Sequence, residues 1–188
     1  MTHDIAVLVG SLRHDGFSSR LAHALTVVGG DRLHLRQVPI GDLPLYNQDF
    51  DDVPPAPWTA FREAIRPAAA VLFVTPEYNR SIPAPLKNAV DVGSRPYGQS
   101  VFVGKPAAVI SQSPGAMGGF GANHALRQSL MFLDMPTLQQ PEAYLAHSDK
   151  LLGPGGALLD ESSGAFLASF MAAFADWVDR CRGAGDGS

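Results

Sequence analysis

The stretch AVLFVTPEYNRSIPAPLKNAVDVG (70–93) decides the architecture of the chain. It opens with an apolar run, Ala70 to Val74, that has neither a helical nor an alternating period. Such a run suits a strand buried on both faces, as in a parallel sheet covered by helices. Pro76 has no N–H to donate, so sheet pairing ends there. Ser81 is a good helix cap, and Pro83 or Pro85 fits a first helical turn, where the missing N–H is dispensable. Leu86, Ala89 and Val90 then share one helical face, and Gly93 is placed to end the helix. The segment reads as strand, stiff polar elbow, helix. Local structure accounts for the prolines after Ser81 but not for PEYN (76–79), which puts an acid, a tyrosine and an asparagine at a strand end.

Working outward, the same unit recurs. IAVLV (5–9) and AAVIS (107–111) are further unbroken apolar runs. LHLRQV (33–38) alternates and suits an edge strand, and a weaker fifth strand is expected near PTLQQPEAYL (136–145). Helical periodicity lies between them. Leu21, Ala22 and Leu25 share a face within 17–28; further helices are expected over 57–66 and over 119–133, the latter with Leu126, Leu130 and Leu133 in register. A long last helix over 162–182 carries Phe166, Phe170, Phe174, Trp177 and Cys181 as its expected core stripe. Strands alternating with helices predict an α/β fold: a doubly wound, five-stranded parallel sheet in three α/β/α layers. No repeat or linker interrupts it, so residues 1–188 are expected to form one domain. LLGPGG (151–156) reads as a loop into the last helix, and the tail GAGDGS (183–188) is expected to fray.

Composition narrows the function. The 188 residues are enough for a full core, and 46% hydrophobic with 17% charged residues is an ordinary globular balance. A net charge of -4 without a basic stripe argues against nucleic acid as a partner. The N-terminal apolar run is five residues long and follows Asp4; with no signal peptide or membrane span in view, a soluble, cytoplasmic protein is expected. The lone Cys181 excludes an internal disulfide, and the six histidines lack ligand spacing, so no metal site is expected. A cysteine-type small phosphatase would need a cysteine after the first strand, and a serine hydrolase a GxSxG elbow; neither is present.

Ligands of open parallel sheets bind beyond the carboxyl ends of the strands. Three loops leave those ends. The first, GSLRHDGFSS (10–19), opens a helix, whose free N–H groups favour an anion. Ser11 and Ser18 add hydroxyls and Arg13 a planar cation suited to phosphate. This loop is neither a GxGxxG fingerprint nor a Walker loop. The second loop is PEYN, a polar wall on which a flat heterocycle could hydrogen-bond while Tyr78 packs beside it. The third, SQSPGAMGGFGAN (111–123), has four glycines from Gly115 to Gly121, which lets backbone approach a ligand closely. Each loop alone has a plain structural reading as a turn or connector. Their convergence on one edge favours a ligand site.

GSLR, TPEYNRSIPAPLKNAVDVGSRP and KPAAVISQSPGAMGGFGANHALRQSLMFLD resemble the NADPH-dependent FMN reductase family, over roughly residues 5 to 145. The resemblance implies a flavodoxin-like fold and FMN as cofactor, with NADPH or NADH as reductant. It implies electron transfer by ping-pong kinetics to a small acceptor such as a quinone, chromate, an azo compound or free flavin. It places Ser11, Arg13 and Ser18 at the FMN phosphate, Pro76, Glu77, Tyr78 and Asn79 around the ring, and Ser113 and Gly115 as the closing loop. No catalytic side chain is expected, because FMN carries the chemistry. A homodimer or homotetramer is implied. The chain departs from the family at Gly16, where serine is common, at Ser18, often asparagine, and at Gly121, where some relatives carry arginine. The alternative is a flavodoxin-type electron carrier or a flavin-binding redox sensor; carriers display a strongly acidic docking face, and -4 is modest.

Overall fold

A computed structural model describes residues 2–183. Of the tail expected to fray, Gly183 ends the last helix, and residues 184–188 lie outside the described residues. Five strands form one all-parallel sheet: β1 (His3–Val9), β2 (Leu33–Gln37), β3 (Ala70–Thr75), β4 (Ala107–Gln112) and β5 (Ala143–Leu145), in the order β2-β1-β3-β4-β5. This is the flavodoxin-like order, with its switch point between β1 and β3. The unbroken apolar runs became the three central strands. In β3 and β4 every residue is buried, and Val9 of β1 lies beside Val74 of β3. The alternating segment is the edge strand β2, and β5 is three residues long.

Helices cover both faces. On one side lie α1 (Phe17–Val28) and the long α6 (Glu161–Gly183); on the other lie α2 (Ala56–Ile65), α3 (Ala84–Gly93) and α4 (Phe120–Phe132). Alternate strand residues feed the two cores: Ile5, Val7, Leu72 and Ile110 pack under α1 and α6, while Ala6, Leu8, Phe73 and Val109 pack under α2, α3 and α4. The core face of α6 is Leu167, Phe170, Met171, Phe174, Ala175 and Val178, a stripe of 3.6 period. Phe166, Trp177 and Cys181 of the expected stripe fall on its half-buried flanks. Tryptophan accounts for its own displacement: the Trp177 indole N–H donates to the Pro136 carbonyl at 2.8 Å, which keeps that end at the edge. Leu133 likewise sits just past α4, half-buried.

Two features were not anticipated. A short helix α5 (Ser148–Leu151) follows β5, and the Gly/Pro segment after it packs tightly on α1. A Cβ at Gly156 would lie 2.5 Å from the Arg20 carbonyl oxygen. No helix among the described residues is long and apolar enough to cross a membrane.

Candidate flavin site

The three loops do leave one edge of the sheet, and hydrogen bonds fold them on themselves and tie loop 2 to α4. Loop 1 (10–16) folds on itself. Arg13 donates its N–H to the Ser11 hydroxyl at 3.3 Å, and the Ser19 hydroxyl donates to the Arg13 carbonyl at 3.2 Å. Gly16 is the cap residue of α1 and supplies no side chain, so the first turn of α1 is left without a side-chain cap. Arg20 is engaged with Asp15 and with the Leu152 carbonyl, which anchors this turn to the segment after β5. Arg13 and His14 stay exposed and, with Ser11, Ser19 and Gln37, line a cleft of about 280 Å³ running toward residues 37–41. A serine at position 16 would have to settle 3.1 Å from both the Ser11 hydroxyl and the Arg13 side chain.

Loop 2 is a two-residue hairpin. Tyr78 and Ser81 exchange both backbone hydrogen bonds, at 3.1 and 2.9 Å, around Asn79 and Arg80. Both central residues have positive φ, 51° and 65°, as a type I′ turn requires. Asparagine tolerates that conformation, whereas arginine is strained in it, and such strain concentrates at ligand sites. Tyr78 and Asn79 are exposed at the rim, while Pro76 and Glu77 are half-buried.

Glu77 has a role the sequence did not disclose. Its Oε2 accepts the Ala122 N–H at 3.1 Å, and its Oε1 takes the Arg80 guanidinium at 3.2 Å. It thereby caps α4, whose own cap residue, Gly119, offers no side chain and sits at φ 78°. A carboxylate at a helix N-terminus is favourably placed in the helix dipole. Position 121 is glycine for a steric reason: a Cβ there would lie 2.7 Å from the Arg80 carbonyl oxygen and 2.9 Å from Glu77 Oε2.

In loop 3 the Ser113 hydroxyl accepts the Gly115 N–H at 3.1 Å, and residues 114–117 are exposed. Below the loop, Gln112 Nε2 donates to the Ser18 hydroxyl at 2.8 Å. Ser18 is fully buried, so its hydroxyl lies behind loop 1 and is not presented on its surface. Beyond the loop, Phe120 packs on His124 with ring centroids 4.2 Å apart, and His124 Nε2 is 2.9 Å from the Tyr144 hydroxyl. Burial, reinforced by neighbouring Glu142, pushes that hydroxyl up to about 12.

The donor set fits FMN. An uncapped helix N-terminus beside Ser11 and Arg13 suits a phosphate dianion, and a rigid hairpin faces a glycine-rich loop where a ring could lie. Residues 3–150 match the family model described as NADPH-dependent FMN reductase. The chain belongs to that family. Within it, the chain is 56% identical over 177 residues to a quinone reductase of Pseudomonas putida, covering 94% of this chain and 95% of that one. It is 45% identical over 178 residues to a 2-hydroxy-1,4-benzoquinone reductase of a Burkholderia species, covering 95% and 97%. Among solved structures, FerB of Paracoccus denitrificans, a flavoenzyme NAD(P)H:(acceptor) oxidoreductase, superposes with a TM-score of 0.90 at 39% identity, covering 95% of this chain and 98% of FerB.

Two further residues that shape this family member escaped the reading of the sequence. Asn88, within the LKNAVD block, is 7% exposed and holds the 43–46 segment: its amide donates to the Leu43 and Pro44 carbonyls and accepts the Tyr46 N–H. Gln112 is the other. In each case the only local signal was an amide on an otherwise apolar face. Asp91 forms an ion pair with Lys87, one turn away on α3, at 2.7 Å.

Proposed function

We propose that the protein is an FMN-dependent NAD(P)H:quinone oxidoreductase, with residues 1–188 as one flavin-binding domain. One observation supports the placement of the cofactor best. Of the helix N-termini that follow β1, β3 and β4, that of α3 begins at Pro83 and Pro85 and so lacks N–H groups there, Glu77 fills that of α4, and that of α1 has no side-chain cap and no proline. The anion is therefore expected at α1, held by its backbone N–H groups, Ser11 and Arg13. Ser18 shapes that turn from behind through Gln112. Pro76, Glu77, Tyr78 and Asn79 set the shape of the ring wall, and Ser113 and Gly115 the opposing loop. When bound, FMN would supply the hydride-transfer chemistry between NAD(P)H and the acceptor, and ping-pong kinetics are expected. The protein's part is to position the ring, exclude water from one face and leave the other free.

A quinone is the favoured acceptor because the relatives at 56% and 45% identity are quinone reductases by name. A dimer or tetramer fits the exposed apolar side chains of Met117 in loop 3 and of Phe120, Met131 and Phe132 on α4. The test is spectroscopic. Purified protein reconstituted with FMN should bleach on NADPH or NADH and turn over when a benzoquinone is added. A flavin reducible by dithionite but by neither nucleotide would favour the electron-carrier alternative, and failure to retain FMN would overturn the site.

A further inference from the structure

Among the described residues, three buried side-chain polar atoms have no hydrogen-bond partner: Arg62 Nε, Gln112 Oε1 and Ser148 Oγ. Buried polar atoms in this state are few in natural proteins, and each calls for a reason. Two of these three flank a single bond, in which Ser148 donates its backbone N–H at 3.1 Å to the carbonyl of Ser113, the residue after Gln112. Gln112 is 4% exposed and Ser148 is fully buried. The amide of Gln112 is fixed at its other end by the 2.8 Å bond from Nε2 to Ser18, so the free atom is a carbonyl acceptor held in a set direction. On β4 it continues the line of Ala108 and Ile110, where the apolar stripe under α1 reaches the rim.

The chemistry of the pair restricts its ligand. An unpaired acceptor and an unpaired serine hydroxyl are satisfied by groups that donate and accept, such as a hydroxyl, a water or the N–H and carbonyl edge of a flavin ring. A phosphate dianion has no proton for the Gln112 carbonyl, and the ring, whose edge does carry an N–H, is placed at loops 2 and 3. FMN carries hydroxyls on the polyol between its phosphate and its ring. Gln112 spans the two matching regions of the protein: its side chain rests on the first turn of α1, and its main chain runs into loop 3. We propose that Gln112 and Ser148 bind a ribityl hydroxyl of FMN, so that the chain selects flavins bearing a polyol over the bare ring. This rests on the placement of the phosphate at α1 and of the ring at loops 2 and 3. It requires loop 3, exposed from Pro114 to Met117, to part for that hydroxyl.

The experiment measures dissociation constants of the full chain, freed of flavin, for FMN, riboflavin and lumiflavin by fluorescence quenching. Gln112→Leu should weaken FMN and riboflavin about tenfold each and leave lumiflavin unchanged, while the loss of its bond to Ser18 lowers the melting temperature of the flavin-free protein by a few degrees. Unchanged affinities for all three would overturn the proposal, leaving a buried water as the partner of these atoms. Equal weakening of all three would also overturn it, as general distortion of loop 3. Should Gln112→Leu not fold, the side-chain amide resonance of Gln112 in the unaltered protein answers the question, assigned through its contact with Ser18. It should shift with riboflavin and not with lumiflavin; a resonance indifferent to riboflavin sinks the idea. Failure of the unaltered protein to bind FMN at all would instead reject the flavin site itself.

Discussion

Glu77 and Ala122, 45 positions apart, are joined at 3.1 Å through a carboxylate and a backbone N–H. This bond links the elbow after β3 to the first turn of α4, so loops 2 and 3 are held at a set separation before any ligand arrives. It also explains why PEYN carries an acid. The glutamate does for α4 what an N-cap residue would do, from a distant loop.

Removing that cap should be felt in stability. Glu77→Ala is expected to cost about 1–2 kcal/mol, a fall of a few degrees in melting temperature for a chain of this size. Glu77→Gln keeps an acceptor and should lose less. Urea denaturation of the flavin-free variants distinguishes them; two curves superimposed on that of the unaltered protein would refute the cap.

Gly121 should not tolerate a methyl group. Gly121→Ala places a Cβ 2.7 Å from the Arg80 carbonyl oxygen. The gain in helix propensity, about 1 kcal/mol, is outweighed by a clash with backbone of about 1–3 kcal/mol. The expected result is net destabilisation and weaker FMN binding, read by the same denaturation curves and by fluorescence titration. A more stable variant would show that loop 2 yields easily.

Arg13 is exposed beside the open end of α1. Arg13→Ala should weaken FMN about tenfold, the loss of one charge-assisted contact, and leave riboflavin, which lacks the phosphate, nearly unaffected. Equal loss for both flavins would move the phosphate elsewhere.

Asp160 caps α6. It accepts the Ser163 N–H at 2.8 Å and the Ser163 and Ser162 hydroxyls at 2.6 and 2.7 Å. These bonds, the Ser163 hydroxyl first, lower its carboxyl from 3.8 to about 2. A depressed pKa means the folded state favours the carboxylate. The contribution is therefore complete above about pH 4 and disappears as pH falls through about 2. Asp160→Asn should flatten the stability profile between those values while keeping much of the cap, and Asp160→Ala should lose both. An unaltered acid limb in Asp160→Asn would contradict the assignment.

The elements were legible where the signal is local. Phe17 and Val28 bound α1 as expected because its periodicity is written in consecutive residues. The stripe of α6 was misplaced by about one position at several points, since an aromatic-rich helix has more apolar residues than its buried face can hold; packing into the core shared with α1 chose Leu167 and Met171 over Phe166 and Trp177. The candidate site was legible as three loops, but the work of its residues was not. Ser18 was expected to face the anion, and its side chain lies buried against Gln112.

Consecutive residues alone determined the parallel sheet, its covering helices and the rim at which the loops gather, because burial on two faces leaves an unbroken apolar run that can be read without knowing any neighbour. Only the tertiary structure decided that Glu77 caps a helix, that Gly121 has no room for a side chain, and that Gln112 reaches a serine 94 positions earlier. Polar groups bond to whatever partner the fold brings within about 3 Å, and that partner is set by strand order, not by distance along the chain.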